Sequence, residues 1–335
     1  MLWSGTPAIH GGQASPARVT RPALHFFRTL IIWNNRMPRS SHFALVILPI
    51  MLLLIAMTSI QGGASLAKGL FPLIGATGTT ALRLGLAALI LCVLMRPWQA
   101  RLSLSSCRSL LAYGLALGSM NLLFYLSLQT IPLGIAVALE FTGPLGLALL
   151  SSRRLLDFVW IAMAVFGLWL LLPSAQADVQ LDPVGMALAL GAGLCWALYI
   201  VFGQKAGAEH GRQTVALGTI VAALWVFPMG LWHAGSSMFS LDLLPIALGV
   251  AVLSSALPYS LEMVALTRLP ARTFSILMSM EPAIAALSGL LFLSERLTLS
   301  QWLAISAIIL ASAGAAATIR PKGKPSGVDV PVAPA

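Results

Sequence analysis

Glu140 and Glu281 each stand in the middle of an apolar stretch, PLGIAVALEFTGPLGLALL over 132–150 and the run from Pro270 to Leu293, and each is followed closely by a proline, Pro144 and Pro282. A carboxyl group at that depth has two readings. In one it carries a proton or balances a substrate amine, because an ionisable group inside a membrane is a functional hypothesis by default. In the other it stays neutral and hydrogen-bonds between helices. Glu281 has a further structural reading, since Pro282 frees a backbone carbonyl that the acid can serve. Arg83 is the basic residue set deep in an apolar run, and its planar guanidinium suits a carboxylate. That carboxylate is either Glu140 or Glu281, as a structural pair, or belongs to a substrate. A zwitterionic amino acid needs one group of each sign, and this set offers both.

Further polar groups lie in neighbouring runs: Thr58, Ser59 and Gln61 in the first, Ser119, Asn121 and Tyr125 in the third, Ser254, Ser255 and Tyr259 in the eighth. Such groups line a cavity or merely bond adjacent helices. Pro144, Pro258 and Pro282 mark places where helices bend and gates can form. Glu262, near the end of its run and close to Arg268, is read first as a solvated interfacial acid and second as a site residue. Gly62 with Gly63, and Gly114 with Gly118, are read as close-packing positions. Tyr199 is a packing aromatic or a pocket wall. The five histidines fall in the breaks or the N-terminal stretch, and the three cysteines form no CxxC pair, so neither a metal site nor a cofactor is expected.

The elements that position these residues follow from composition. The chain is 58% hydrophobic and 9% charged, with a mean hydropathy of +0.90, which a water-soluble domain of this size would not tolerate. The reading is an all-α polytopic membrane protein. Ten apolar runs of about 20 residues, the length of a spanning helix, are expected at about 43–67, 75–95, 109–130, 132–150, 156–173, 183–203, 213–232, 243–266, 270–293 and 300–319. Of the 20 Lys and Arg residues, all but Lys68, Arg296 and the intramembrane Arg83 fall in segments on one side of this plan. By the positive-inside rule that side is the cytoplasm, and both termini lie there. The net charge of +10 is thereby explained without nucleic acid as a partner.

Pro132 and Pro144 recur as Pro270 and Pro282, at an offset of 138 residues that covers five helices. Because five is odd, the second half enters the membrane from the opposite side. Two inverted five-helix repeats, at 42–173 and 183–319, are the plan of secondary transporters, with the substrate site near the midplane between them. No break between runs is long enough for a catalytic or nucleotide-binding domain, and no GxxxxGK[ST] loop is present to cradle phosphate. An intramembrane enzyme would need clustered acids for a metal, or a nucleophile beside a base, and neither is seen. Transport driven by a gradient or by exchange is left, with a non-transporting receptor-like protein as a minor alternative.

The runs SIQGGASLAKGLFP (59–72), TALRLG (80–85), PLGIAVALEFTGPL (132–145), SSRRLLDFVW (151–160), GQKAGAEHG (203–211), ALPYSLEMVALTRLPARTF (256–274) and LMSMEPA (277–283) resemble the drug/metabolite transporter superfamily of the EamA type. Within it they resemble the threonine/homoserine exporters of bacterial inner membranes, from about Met37 to Ile319. The resemblance implies efflux of threonine, homoserine and related small amino acids from the cytoplasm, coupled to protons, and it directs attention to Gln61, Arg83, Glu140, Tyr259, Glu262 and Glu281. A drug, purine or nucleoside exporter of the same superfamily is the alternative. Residues 1–41 and 320–335 depart from the pattern and are expected to be disordered, and Met37 opens MPRSSHFALVILPIMLLL as a possible true start.

Overall fold

Apolar runs become helices because a helix bonds its own backbone groups, which lipid cannot do. The computed structural model describes residues 47–100, 102–131, 133–152, 154–171, 182–211, 213–281, 283–284 and 299–318. Among them no strand occurs. The helices are α1 (Leu48–Lys68), α2 (Phe71–Met95), α3 (Leu104–Ser127), α4 (Leu133–Ser151), α5 (Leu155–Leu171) and α6 (Pro183–His210), followed by α7 (Gln213–Ala234), α8 (Leu244–Ala251), α9 (Leu257–Arg268), α10 (Ala271–Met278) and α11 (Leu299–Ala317). A π-helical turn, Val252–Ala256, joins α8 to α9, so the helices occupy the ten expected segments. Five stretches are long and apolar enough to cross a membrane: Phe71–Met95, Ser106–Ser127, Pro183–His210, Gln213–Phe239 and Leu241–Arg268. α1, α4, α5 and α11 hold shorter apolar cores. The N-terminal stretch with Met37, the C-terminal tail and Pro282 lie outside the described residues.

The surface is inverted relative to a water-soluble protein. Leu150 and Leu155 are each 86% exposed, and Leu89, Trp169, Leu194, Leu224 and Trp232 also face outward, whereas Arg83, Asn121, Glu140 and Glu262 are buried. Lipid is the solvent that makes such an outer face stable.

Helix ends follow local chemistry. The second helix starts at Phe71 rather than near 75, with Pro72 in its first turn, and bends at Gly75, whose φ of 69° is the left-handed conformation that glycine adopts without a Cβ clash. Ser103 and Ser106 form a reciprocal capping box on α3. Asp182 caps α6, accepting from the backbone N–H groups of Val184 and Gly185. The Gly185 N–H first, and the Thr130 hydroxyl next, hold the Asp182 carboxyl below the ordinary carboxylate range. A group with a lowered folded-state pKa contributes stability above its unfolded value and loses it as pH falls through the folded one. Asp182→Ala is therefore expected to lower the melting temperature in detergent at neutral pH, and the difference from wild type should close in acid below the carboxylate range. An unchanged difference across that range would show that the cap does not act through its charge.

Packing runs α3 on α6 and α7, α2 on α7, α5 on α11, α4 on α6 and α10, and α1 on α8, the π-turn and α9. Small residues set these crossings. Gly114 faces Gly218 and Val221, Gly118 faces Ala222, Gly230 faces Ala81, and Gly143 faces Gly193. Of the first-helix pair only Gly63 is pressed, against Ser254, while Gly62 has open space where a Cβ would stand. The expected close packing thus holds at Gly63 and not at Gly62, because the π-turn pushes Ser254 toward one of them only.

Candidate substrate and coupling site

Arg83 projects from the middle of α2 and is 5% exposed. Its Nη1 donates to the Tyr125 hydroxyl at 2.9 Å, and its Nη2 donates to Asn121 Oδ1. Both partners come from α3, four residues apart and so on one helix face. The guanidinium also lies over the Tyr125 ring, 4.9 Å from its centroid, a cation–π placement. Asn121 Oδ1 accepts a second bond, at 3.1 Å, from the Tyr259 hydroxyl on α9, and Asn121 Nδ2 is bonded back to Leu117 O at 2.7 Å. Of the two readings of Arg83, the structural ion pair with Glu140 or Glu281 is not formed among the described residues. Its partners are neutral, and its Nε is buried without any. Both of its hydrogen bonds among the described residues go to α3, and α9 reaches it through Asn121, so no carboxylate touches the charge there.

Glu140, on α4, is buried, and its carboxyl makes no hydrogen bond to a described residue. It lies within electrostatic range of both Arg83 and Glu281. Glu281 is half-buried just beyond a turn at Ser279, where α10 has ended, and it likewise bonds no described residue. Glu140 is placed by Phe141, whose ring meets Trp196 edge-on at 5.4 Å, and by the close crossing of Gly143 with Gly193. Pro144 is buried inside α4 and removes the backbone donor that would have met the Glu140 carbonyl. Pro258 sits at the start of α9, directly after the π-turn. Gln61 is half-buried on α1, the helix against which that turn packs.

The solvated reading of Glu262 fails. It is 4% exposed, and its Oε2 accepts from the Tyr199 hydroxyl of α6 at 3.0 Å. Nearness to Arg268 along the chain misled, because α6 and α1 cover this face of α9 up to its last turn. Tyr113, stacked on Tyr199 with centroids 5.2 Å apart, was not singled out from sequence, and its buried hydroxyl has no partner. A signal was available: the chain has four tyrosines, Tyr113, Tyr125, Tyr199 and Tyr259, and all four are buried here. Elsewhere, Arg272 Nη1 of α10 donates to Asp157 Oδ2 of α5 at 2.9 Å, the one ion pair seen among the described residues. No group of three metal-binding side chains occurs among them. An apolar groove of about 540 Å³, lined by Leu82, Leu86, Leu224, Phe227 and Phe239, opens between α2 and α7 and includes none of the polar cluster.

Over 294 residues the sequence is 59% identical to the threonine/homoserine exporter RhtA of Escherichia coli strain K12, covering 88% of this chain and 100% of that one. It is 60% identical to RhtA of Salmonella typhimurium strain LT2 over the same shares. Residues 183–316 match the EamA-like transporter family. The chain belongs to that family. Membership makes it a multi-pass transporter rather than an enzyme, as its sequence indicated. An uncharacterised Bacillus subtilis transporter, YwfM, is 32% identical over 50% of this chain and 57% of its own length. A solved crystal structure superposes with a TM-score of 0.64 at 16% identity over 79% of this chain and 96% of that one, a likeness of fold alone. Within the EamA-like family frame, the Arg83 cluster of α2, α3 and α9, with Glu140 of α4 in electrostatic range, is the candidate substrate site.

Proposed function

We propose that this protein exports threonine, homoserine and related small amino acids from the cytoplasm across a bacterial inner membrane, exchanging them for protons by alternating access. The observation that carries the reading is Arg83: a buried guanidinium held only by neutral groups, with a free Nε. Leaving a buried charge without a counter-ion is costly. A substrate carboxylate supplies the counter-ion, and the unbonded acid Glu140, in range of Arg83, meets the ammonium. Tyr125, Asn121 and Tyr259 close the carboxylate end, Glu281 assists coupling, Gln61 lies on the adjoining wall, and Pro144 and Pro258 let their helices bend as gates. The names of the RhtA relatives point to the same substrates.

The two halves, 42–173 and 183–319, act as inverted repeats around this site, with both termini cytoplasmic. Three observations support that arrangement. Asn121 and Tyr259, which bond each other, are 138 residues apart, the offset of the repeat, as repeat mates that meet on a two-fold axis would be. α2 packs on α7, α4 on α10 and α5 on α11, each a helix on its own repeat mate. α3 on α6 is mirrored by α8 and α9 on α1. Between the halves, the Asp157–Arg272 pair joins ends assigned to the cytoplasm.

Radiolabelled homoserine and threonine should accumulate in inside-out vesicles when a proton gradient is imposed. Glu140→Gln should cut both accumulation and exchange by about tenfold at equal protein level, the loss of roughly 1.4 kcal/mol of transition-state binding. Wild-type vesicles that take up a cationic dye or a purine and neither amino acid would replace this reading with the drug or metabolite alternative.

A further inference from the structure

Glu262 is the buried acid that the substrate arrangement leaves unused, and its surroundings differ from those of the other two. Glu140 and Glu281 bond no described residue, as befits groups kept for a ligand. Glu262 already has a donor, the Tyr199 hydroxyl at 3.0 Å, backed by the stacked ring of Tyr113. Both phenols are fully enclosed, Tyr113 at 0% and Tyr199 at 1% exposure, and the Tyr113 hydroxyl is unpartnered. An enclosed acid–phenol pair with a spare hydroxyl beside it is a place to hold and pass a proton, not an amino acid.

Position adds the second argument. Glu262 lies three residues from Tyr259 on α9, hence on the same face about one turn away. Tyr259 is the α9 group that reaches Asn121 and, through it, Arg83. One short helix therefore carries a contact to the substrate cluster at one turn and the acid–phenol pair at the next. That helix follows a π-turn, Val252–Ala256, a geometry frequent at functional sites. The Ser254 and Ser255 hydroxyls there are buried, and Ser254 packs on Gly63 of α1.

The geometry points to Glu262 as the residue that takes up and gives off the coupling proton, with Tyr199 bonding its carboxylate form and α9 linking it to substrate at Arg83. This rests on the reading of the protein as a proton-exchanging amino-acid exporter, and it names the site of exchange. When substrate carboxylate displaces Asn121 from Arg83, the amide keeps the Tyr259 hydroxyl, and its movement is passed through that bond to α9. The O–H bond of protonated Glu262 then breaks, its proton passes to water on the cytoplasmic side, within two turns of Arg268, and the carboxylate accepts the Tyr199 hydroxyl. The groups facing Glu262 are Tyr199 from α6, Tyr113 from α3 and Tyr259 from α9 itself, with Glu281 in electrostatic range. Along their sequences α1 and α7 carry no charged or titratable residue except Lys68 and His233 at their C-terminal ends, and Arg272 of α10 is held by Asp157.

The test uses the full chain in proteoliposomes and compares two modes. Homoserine counterflow at equal pH needs the substrate site alone, and accumulation driven by a pH gradient needs coupling as well. Glu262→Gln should keep counterflow within about twofold and lose gradient-driven accumulation by about tenfold or more. Tyr199→Phe, which keeps the ring and removes the donor, should leave counterflow unchanged and move the pH dependence of accumulation to higher pH, by about one unit for one charge-assisted hydrogen bond. Accumulation by Glu262→Gln at the wild-type level overturns the proposal, as does loss of counterflow together with accumulation in a variant that still elutes as folded protein. Should Glu262→Gln fail to fold, an unmoved Tyr199→Phe profile overturns it. Wild type that exchanges neither homoserine nor threonine overturns the substrate reading and this proposal together, whereas intact wild-type exchange with unaltered coupling in the variants overturns this proposal alone.

Discussion

Arg83→Lys is expected to lower homoserine transport by about 100-fold in kcat/KM, close to 2.7 kcal/mol, with little change in expression or thermal stability. The variant keeps the positive charge, so a purely electrostatic role would survive it. What it removes is the planar fork. In the native site one terminal nitrogen meets Tyr125 and the other meets Asn121, which in turn holds Tyr259. An ammonium is a compact, strongly hydrated point charge on a different stem and cannot span two partners in one plane. The Asn121 carbonyl then keeps only the Tyr259 hydroxyl, and the substrate carboxylate loses its two-pronged recognition. Losing a hydrogen-bonded charge contact in a buried site commonly costs about 2–5 kcal/mol, so the expected figure is at the low end. Asn121→Ala, which removes a neutral acceptor, should cost less, about tenfold. The measurement is initial-rate counterflow against homoserine concentration in proteoliposomes. Wild-type kinetics for Arg83→Lys would take Arg83 out of carboxylate recognition and leave it as a helix-bonding residue.

Sequence and structure agree where the membrane itself dictates the answer. Lipid forces every backbone group to be satisfied within its own segment, so apolar runs bounded by charge translate into helices, and the described segments fall within a few residues of those read from sequence. Local departures have local causes. Gly75 bends the start of α2 because only glycine takes its φ without strain, and the π-turn at Val252–Ala256 leaves no periodic mark, since one extra residue in a turn hardly alters an apolar run. The Ser254, Ser255 and Pro258 cluster pointed to a bend without saying which kind.

Side-chain pairing was much less legible. Arg83 and its acids were visible as isolated charges, yet its actual partners are an amide and a phenol on α3, because which face of α2 meets which face of α3 is set by packing between segments of nearly uniform hydropathy. Glu262 shows the same limit. Sequence gives depth along a helix and says little about which face of that helix is covered, and the covering residues, Tyr199 and Tyr113, come from two other helices. Rarity was the better guide. In a chain with few phenols, all four tyrosines inside the apolar runs are buried, and three of them, Tyr125, Tyr199 and Tyr259, bond a polar group of another helix.

Gly193→Ala is expected to destabilise the protein and to disable transport, although alanine is ordinarily the better helix former by about 1 kcal/mol. The reason is the crossing of α4 and α6. A methyl group on Gly193 would fall on the Glu140 carbonyl oxygen, and one on Gly143 would fall on the Gly193 carbonyl. Both obstacles are backbone, which cannot swing aside as a side-chain tip can. Glycine matters twice here, because Pro144 leaves the Glu140 carbonyl without its helical donor, and the bare face of Gly193 is turned to that oxygen. Forcing the helices apart costs about 1–3 kcal/mol as overpacking, and the displaced backbone carries the Glu140 carboxyl away from Arg83. Gly146, on the same helix, has open space at its Cβ position and provides the contrast. Gly146→Ala should be neutral or slightly stabilising, with counterflow intact, while Gly193→Ala should melt earlier in detergent and lose counterflow. Thermal stability followed by size-exclusion of the two variants separates the effects by sign. A Gly193→Ala protein as stable and as active as Gly146→Ala would mean that α4 and α6 do not pack through these glycines, and the positioning of Glu140 by that crossing would fall with the contact.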